Sequence, residues 1–367
     1  VENRISYIWQ HPEWPKFSWN DSKIIPHLSK CRLSQGKLIS RIESLGISIY
    51  AHARAEILSV EAIKTSEIEG EKLDVKSLRS SVSRRLGLSP AGLSPDKRIE
   101  GLLDILMDAT EHFDNPLTES RILGWHAALF PSGFSGLSEI SVGKFRSGAM
   151  SVVSGKMGKE KIHFEAPPAS SLASEMKAFL SWWKNGRDSH EGIISAAVAH
   201  LYFVTIHPFD DGNGRIARVL TDMALAQDDK QPIRYYSLSR QIMEKRKDYY
   251  NILERTQKGS CDITDWIIWF LGCFTRAIQS SEEILSNVFL RAEFSRRPDI
   301  MSLPERQRSI LLRVLEPGFE GVLTTRKYMA FSGVSRATAF RELDELFSKG
   351  ILTRRGQGRS AGYEVIL

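Results

Sequence analysis

Apolar residues recur every three to five positions between Asn20 and Leu45 (Ile24, Leu28, Leu33, Leu38, Ile42, Leu45), which reads as helical spacing. The same period predicts helices over 51–68, where Gly70 serves as a stop, and over 75–86, which ends in a Gly/Ser/Pro-rich connection through Pro95. Further helices are predicted over 98–113, 117–130, 170–184 and 190–206. The last of these is apolar nearly all round and should be a buried central helix. Between Phe130 and Pro168 the period is lost, and two β-rich pieces, 150–154 and 161–164, flank Gly155-Lys-Met-Gly158 as a β-hairpin would. Helical spacing resumes over 215–227, 239–257, 263–278 and 281–294. Ahead of all these, Trp9, Trp14, Phe17 and Trp19 around Pro12 and Pro15 predict an extended arm packed on the body.

Past a polar, proline-bearing linker at 295–304 the pattern changes. A helix over 305–315, a segment over 324–330, a turn at Gly333, a helix over 335–349 and a β pair at 351–355 and 362–366 follow in the order of a winged helix-turn-helix. The expected fold is mainly α with one hairpin.

Composition narrows the class. The chain has 367 residues, 42% hydrophobic and 26% charged, the balance of a folded soluble protein with room for two or three domains. Its net charge of +6 suits an anionic ligand without singling out nucleic acid. Cys31, Cys261 and Cys273 lack CxxC spacing, which points to a reduced, cytoplasmic compartment. The opening residues lack a signal peptide's apolar run, and the apolar segment 266–274 falls far short of the roughly 18 to 20 residues of a membrane span, so no membrane partner is expected.

The densest chemistry is His207-Pro-Phe-Asp-Asp-Gly-Asn-Gly-Arg215, closed by Arg218. A helix N-terminus exposes unpaired N–H groups, and glycine lets them converge, so Gly212-Asn213-Gly214 suits phosphate oxygens. Arg215 and Arg218, three apart, share a helix face and can reach outer phosphates. Asp211 is a hard oxygen ligand suited to Mg²⁺, and His207 can take a proton near neutral pH. Together these are the parts of a phosphoryl or nucleotidyl transfer site.

This stretch matches at every defined position the signature His-Pro-Phe-x-Asp/Glu-Gly-Asn-Gly/Lys-Arg, and the chain therefore resembles the Fic family. The resemblance implies a Fic-type helical bundle with a β-hairpin flap, and an enzyme, a protein adenylyltransferase, that moves AMP from ATP to a Ser, Thr or Tyr hydroxyl with Mg²⁺. It implies His207 as general base and Asp211 as Mg²⁺ ligand. The implied ATP-binding set is Phe209, Asp210, Gly212, Asn213, Gly214, Arg215, Arg218, Tyr250 and Leu253. Of these Phe209 anchors the loop, while Tyr250 and Leu253 sit in Asp248-Tyr-Tyr-Asn-Ile-Leu253, which is similar to the family's base-contacting helix. Gln257 departs from the Asn found there in several relatives.

Two further likenesses follow. The hairpin is placed as the family's flap, with Val152 and Val153 as edge residues that would pair with a target strand. Thr65-Ser-Glu-Ile-Glu69-Gly70 fits the inhibitory pattern Ser/Thr-x-x-x-Glu-Gly, which implies that Glu69 pairs with Arg218 and holds ATP in an unproductive pose. The implied domains are an N-terminal helical region over 1–95, a Fic catalytic domain over 96–294 and the winged helix over 301–367. The implied partner is a protein with an exposed hydroxyl, which could be a second copy of the chain; a homodimer is open.

Other histidines read more simply. His126 and His200 fall in apolar helices as satisfied core residues, and His163 lies in the flap facing the cleft. The C-terminal unit from Met301 carries 11 Lys/Arg against 7 Asp/Glu, a net of +4, with a second helix opening Ser335-Arg-Ala-Thr-Ala-Phe-Arg341 and wing residues Arg354, Arg355 and Arg359. DNA is a candidate partner for it. The alternative to an enzyme is thus a transcriptional regulator whose Fic module senses a nucleotide.

Overall fold

The computed structural model describes residues 6–45, 47–88, 95–155, 161–186, 190–315, 319, 321–356 and 362–367. It is mainly helical, and the described strands form small two-stranded antiparallel sheets. The chain divides into two compact units, Val1–Ser40 with Ala51–Glu282, and Arg41–Tyr50 with Glu283–Leu367.

The first unit opens with α1 (Asp21–Leu45), which runs into the second unit's share of the chain, and α2 (Ile47–Ile68), α3 (Val75–Arg85), α4 (Lys97–Glu111) and α5 (Glu119–Leu129) follow. A short hairpin, β1 (Phe134–Ser135) and β2 (Ser138–Glu139), precedes a longer one, β3 (Ser151–Ser154) and β4 (Lys161–Glu165). Then come α6 (Leu172–Asn185), α7 (Gly192–Ile206) and α8 (Asn213–Asp229).

Helix α7 is the hub. From Ile193 to Ile206 every residue is buried, as its all-round apolar sequence requires. Its N-terminus is capped by the Glu191 carboxylate, which accepts the N–H groups of Ile193 and Ile194. Tyr202 on α7 meets Trp14, Phe17 and Phe179 edge to face, so the N-terminal arm and α6 both seal this helix. The arm is less extended than expected. It makes a 3₁₀ turn at Ile8–Gln10, sets Tyr7 edge-on to Phe164, and lets the Trp9 indole donate to the Glu165 carbonyl at 2.7 Å.

Two predicted helical boundaries change. The helix expected over 239–257 is two, α9 (Leu238–Glu244) and α10 (Arg246–Gln257), broken at Lys245 where φ is −113° and ψ 32°. Conversely, 263–278 and 281–294 form one helix, α11 (Thr264–Ser295). The polar Ser280 and Ser281 do not interrupt it because both hydroxyls bond back to the Ala277 carbonyl, at 3.1 and 2.8 Å.

The second unit continues with α12 (Pro298–Met301), α13 (Glu305–Val314), α14 (Thr325–Ser332), α15 (Arg336–Ser348), β5 (Leu352–Arg355) and β6 (Gly362–Val365). Residues 298–303, expected as linker, are ordered: Ile300 and Leu303 are buried in its core with Leu311, Tyr328, Leu343 and Leu346. Gly333 turns α14 into α15 with φ +68°, and Leu323 bridges Tyr363 beside the β5–β6 pair. This is the order of a winged helix-turn-helix. Arg354 pairs with Asp344 and Arg355 with Glu364, while Arg359 and the tip of the first unit's longer hairpin, 156–160, lie outside the described residues.

Candidate functional site

The site is built where α7 hands over to α8. At the end of α7 His207 takes a left-handed backbone (φ 50°, ψ 59°), which turns the chain sharply out of the helix. Its Nδ1 lies 3.0 Å from the Val204 carbonyl. A carbonyl only accepts, so Nδ1 carries the proton and Nε2 keeps its lone pair. Burial, with the Arg146 charge adding to it, holds His207 below its ordinary value despite the Val204 carbonyl, so the ring is neutral.

The loop after His207 is tied from several sides. Phe209 is fully buried and stacks on His126 with centroids 4.1 Å apart. The Asn213 side chain accepts the Phe209 N–H at 3.0 Å and donates to the Phe209 carbonyl at 2.8 Å, closing the loop on itself. Arg146, 3% exposed, donates to the carbonyls of His207, Gly148 and Pro167, and its own N–H donates to the Pro208 carbonyl at 2.9 Å. It joins the loop to the base of the flap. Nothing in the sequence pattern singled out Arg146, since all but one of these contacts are distant along the chain.

Gly212 caps α8 with φ +81°, a backbone L side chains avoid, and a Cβ there would meet the Phe130 ring at 2.9 Å. The first turn of α8 therefore faces the cleft with its N–H dipoles.

The cleft measures about 590 Å³ and is walled by the β3–β4 hairpin, the His207 loop, the start of α8 and α10. Of the residues expected to act together, His207, Asp210, Asp211, Asn213, Gly214, Arg218, Tyr250, Leu253, Val152, Val153 and Glu69 line it. Phe209, Gly212, Thr65 and Gly70 are not among its lining residues: Phe209 and Thr65 are buried, Thr65 against Arg218, and Gly70 is exposed. Arg215 faces a separate recess of about 120 Å³ with Glu71, Phe130 and Ser135. Asp211 accepts the Gly212 N–H at 2.5 Å and the Ser135 hydroxyl, and Asp210 accepts the Ser141 N–H at 3.0 Å. Ser135 belongs to β1, whose two-residue strand has no sequence signature.

Both arginines of the motif end on carboxylates from the end of α2. Arg218, 3% exposed, donates from Nε to Thr65 Oγ1 at 2.7 Å, and from Nη2 to the Thr65 carbonyl at 3.0 Å and to Glu69 Oε1 at 2.7 Å. Burial works against its charge, and Glu69 more than offsets this, so the guanidinium titrates above its ordinary value. Gly214 permits that approach: a Cβ there would lie 2.4 Å from Glu69 Oε1. Arg215 places Nη1 3.1 Å from both oxygens of Glu71, a contact the sequence reading did not foresee.

Across the cleft, His163 on β4 joins Glu254 of α10 and Ser154 of β3, each at 2.6 Å. Hydrogen bonds from Lys258 and His163 draw Glu254 down to about 2. Gln257 donates to Thr205 at 3.2 Å. His126 and His200 are buried and satisfied, as expected. His126, lowered to about 4 by burial, accepts the Gly143 N–H and reaches the Asp211 carbonyl.

Among the described residues no group of three or more His, Cys, Asp or Glu is gathered for a metal ion. Asp211 offers a carboxylate on the cleft wall, with Asp210 beside it, an arrangement that fits Mg²⁺, which takes one or two carboxylates and completes its shell from phosphates and water. Among the same residues no helix is long and apolar enough to cross a membrane.

Comparison with known proteins gives a consistent picture. A model described as the Fic/DOC family matches residues 116–225. A domain of unknown function, DUF4172, matches 7–88, and a "Transcriptional regulator DIP2311-like, C-terminal domain" matches 320–366. The chain is 36% identical over 119 residues to a protein adenylyltransferase Fic of Nematostella vectensis, covering 31% of this chain and 25% of that protein. It is 32% identical over 123 residues to a uridine 5'-monophosphate transferase of Xanthomonas campestris pv. campestris (strain 8004), covering 32% and 22%. These matches span about a quarter of the length of the curated relatives. In fold the chain is similar to a Fic family protein from Desulfovibrio desulfuricans G20, with a TM-score of 0.59 at 18% identity over 96% of this chain and 98% of that one.

Proposed function

The chain belongs to the Fic/DOC family through residues 116–225, and from that premise we propose that it transfers AMP from ATP to a Ser, Thr or Tyr hydroxyl of a protein. The observation that carries this reading is the convergence on one cleft of a neutral His207 with a free Nε2, Asp211, the first turn of α8 and Arg218. In the proposed reaction the target hydroxyl oxygen forms a bond to the α-phosphorus, the bond to the bridging oxygen breaks, and pyrophosphate leaves. The hydroxyl proton passes to His207 Nε2. The α8 N-terminus and the motif arginines hold the charge that builds on the phosphates. Asp211 would hold Mg²⁺, which supplies further charge neutralisation when bound.

Substrate placement follows the same reading. Tyr250 and Leu253 form the base side of the cleft, and Val153, 49% exposed on β3, offers a strand edge to a target segment. Glu69 holds Arg218 away from a γ-phosphate, so the enzyme is proposed to rest in a restrained state. An ATP cleft rather than a UTP cleft is favoured by the adenylyltransferase relative, whereas the uridylyl relative supports the alternative donor. Parallel incubation of the Glu69→Gly variant with α-labelled ATP and α-labelled UTP decides between them: preferential transfer from ATP is expected, and preferential transfer from UTP overturns the AMP assignment.

A second reading has one supporting observation, the match of 320–366 to a transcriptional regulator's C-terminal domain. A gel shift tests it. In its favour would be salt-sensitive DNA binding lost on substitution of Arg336 and Arg341; against it stand the carboxylate partners of Arg354 and Arg355.

A further inference from the structure

We infer that Glu71 is a second restraint, which holds Arg215 out of the cleft so that the segment from Glu69 to Glu71 occupies both arginines of the motif. This rests on the nucleotide-transfer reading above. Three features carry it.

The first is the geometry of Arg215. The residue is 4% exposed, its Nη1 contacts both Glu71 oxygens at 3.1 Å, and its guanidinium lies 4.8 Å over the Phe130 ring. It faces the smaller recess, while Gly214 and Arg218 on the same helix face the cleft. The second is what this arrangement leaves unmet. Nε and Nη2 of Arg215 are buried without a hydrogen-bond partner among the described residues, and the nearest second carboxylate, Asp211, is 3.7 Å from Nη2. A buried guanidinium with unpaired donors is costly, and phosphate oxygens satisfy such a fork better than one carboxylate met by a single nitrogen.

The third is how the two carboxylates are presented. Helix α2 ends at Ile68, Gly70 adopts φ +82°, and the Gly70 and Glu71 N–H groups bond back to Glu67 and Ser66 at 3.0 Å. Arg246 donates to the Ile68 carbonyl at 3.0 Å, fixing the same end from α10. The left-handed residue between them sends Glu69 to one arginine and Glu71 to the other. They are not equivalent restraints. The Glu69 side chain is 24% exposed, and the Glu71 side chain is 45% exposed and can swing into water. Glu71 therefore sets nucleotide affinity through the outer phosphates, and Glu69 sets the pose.

The test is binding of ATP, ADP and AMP, each with Mg²⁺, by calorimetry on the full chain in the Glu69→Gly background, with and without Glu71→Gln. The expected result is ATP bound roughly 5-fold or more tightly when Glu71 is neutralised, with AMP, which lacks outer phosphates, unchanged. Unchanged ATP affinity, or an equal gain for AMP, overturns the inference. Glu71→Asp, which shortens the side chain and keeps the charge, gives a smaller gain in the same order and decides the matter if thermal melting shows Glu71→Gln to be misfolded. In a parallel α-label transfer assay the Glu71 change lowers KM for ATP with little change in kcat. Failure of every variant to transfer label would sink the AMP-transfer reading, while the ATP-against-AMP pattern still decides the role of Glu71.

Discussion

Replacing Glu69 by Gly should make the protein less stable and more active. Arg218 is almost fully buried, and its Nη2 meets Glu69 Oε1 at 2.7 Å. Removing one partner of a fully buried pair costs roughly 3 to 5 kcal/mol. Here the Glu69 side chain is 24% exposed and Arg218 keeps Thr65 Oγ1 and the Thr65 carbonyl, so roughly 1 to 3 kcal/mol is expected, a drop of several degrees in Tm. On the proposed function the same carboxylate competes with the outer phosphate for Arg218. If a similar free energy becomes available to the productive pose of the nucleotide, transfer rises on the order of 10- to 100-fold. Label transfer from α-labelled ATP and a thermal melt on the same preparation read both effects. Glu69→Gln, which keeps the shape and loses the charge, should fall between the two. A folded Glu69→Gly protein with unchanged transfer would refute the reasoning, because the Arg218 contact would then restrain nothing.

Two other outcomes follow from the fold. A Cβ at Gly101 would lie 1.9 Å from the Ala128 carbonyl, so Gly101→Ala must spread α4 from α5 and should cost roughly 1 to 3 kcal/mol or more, seen as a lowered Tm. His200 is 1% exposed, lies between Thr221 at 3.0 Å and Tyr249 at 2.8 Å, and is lowered to about 3 by burial. The unfolded chain takes up that proton near pH 6.5, so the stability from keeping His200 neutral is whole above 6.5 and is lost as pH falls toward 3. The loss at pH 4 is on the order of 3 kcal/mol, and melts from pH 7 to pH 4 should show a shallower slope for His200→Gln.

Much of this was legible because it is local or periodic. The all-round apolar run of α7, the nine residues from His207 to Arg215 and the Thr65–Gly70 pattern each stand in one short stretch, and the cleft draws on all three. What escaped depends on contacts across the chain. Arg146 acts through carbonyls of Gly148, Pro167 and His207, Ser135 through a two-residue strand, and Glu71 through an arginine more than a hundred residues away. The break at Lys245 carries no Gly or Pro to announce it. The serines in α11 announced a break that their back-bonding to Ala277 prevents.

The central claim is that His207 accepts the proton of a target hydroxyl while AMP moves from ATP. Its most direct test compares Glu69→Gly with Glu69→Gly/His207→Ala, each given ATP labelled on the α- or the γ-phosphate. The account predicts α-label on protein, no γ-label, and a loss of roughly 100-fold or more when His207 is removed. Transfer of γ-label, or α-label that persists without His207, would contradict it.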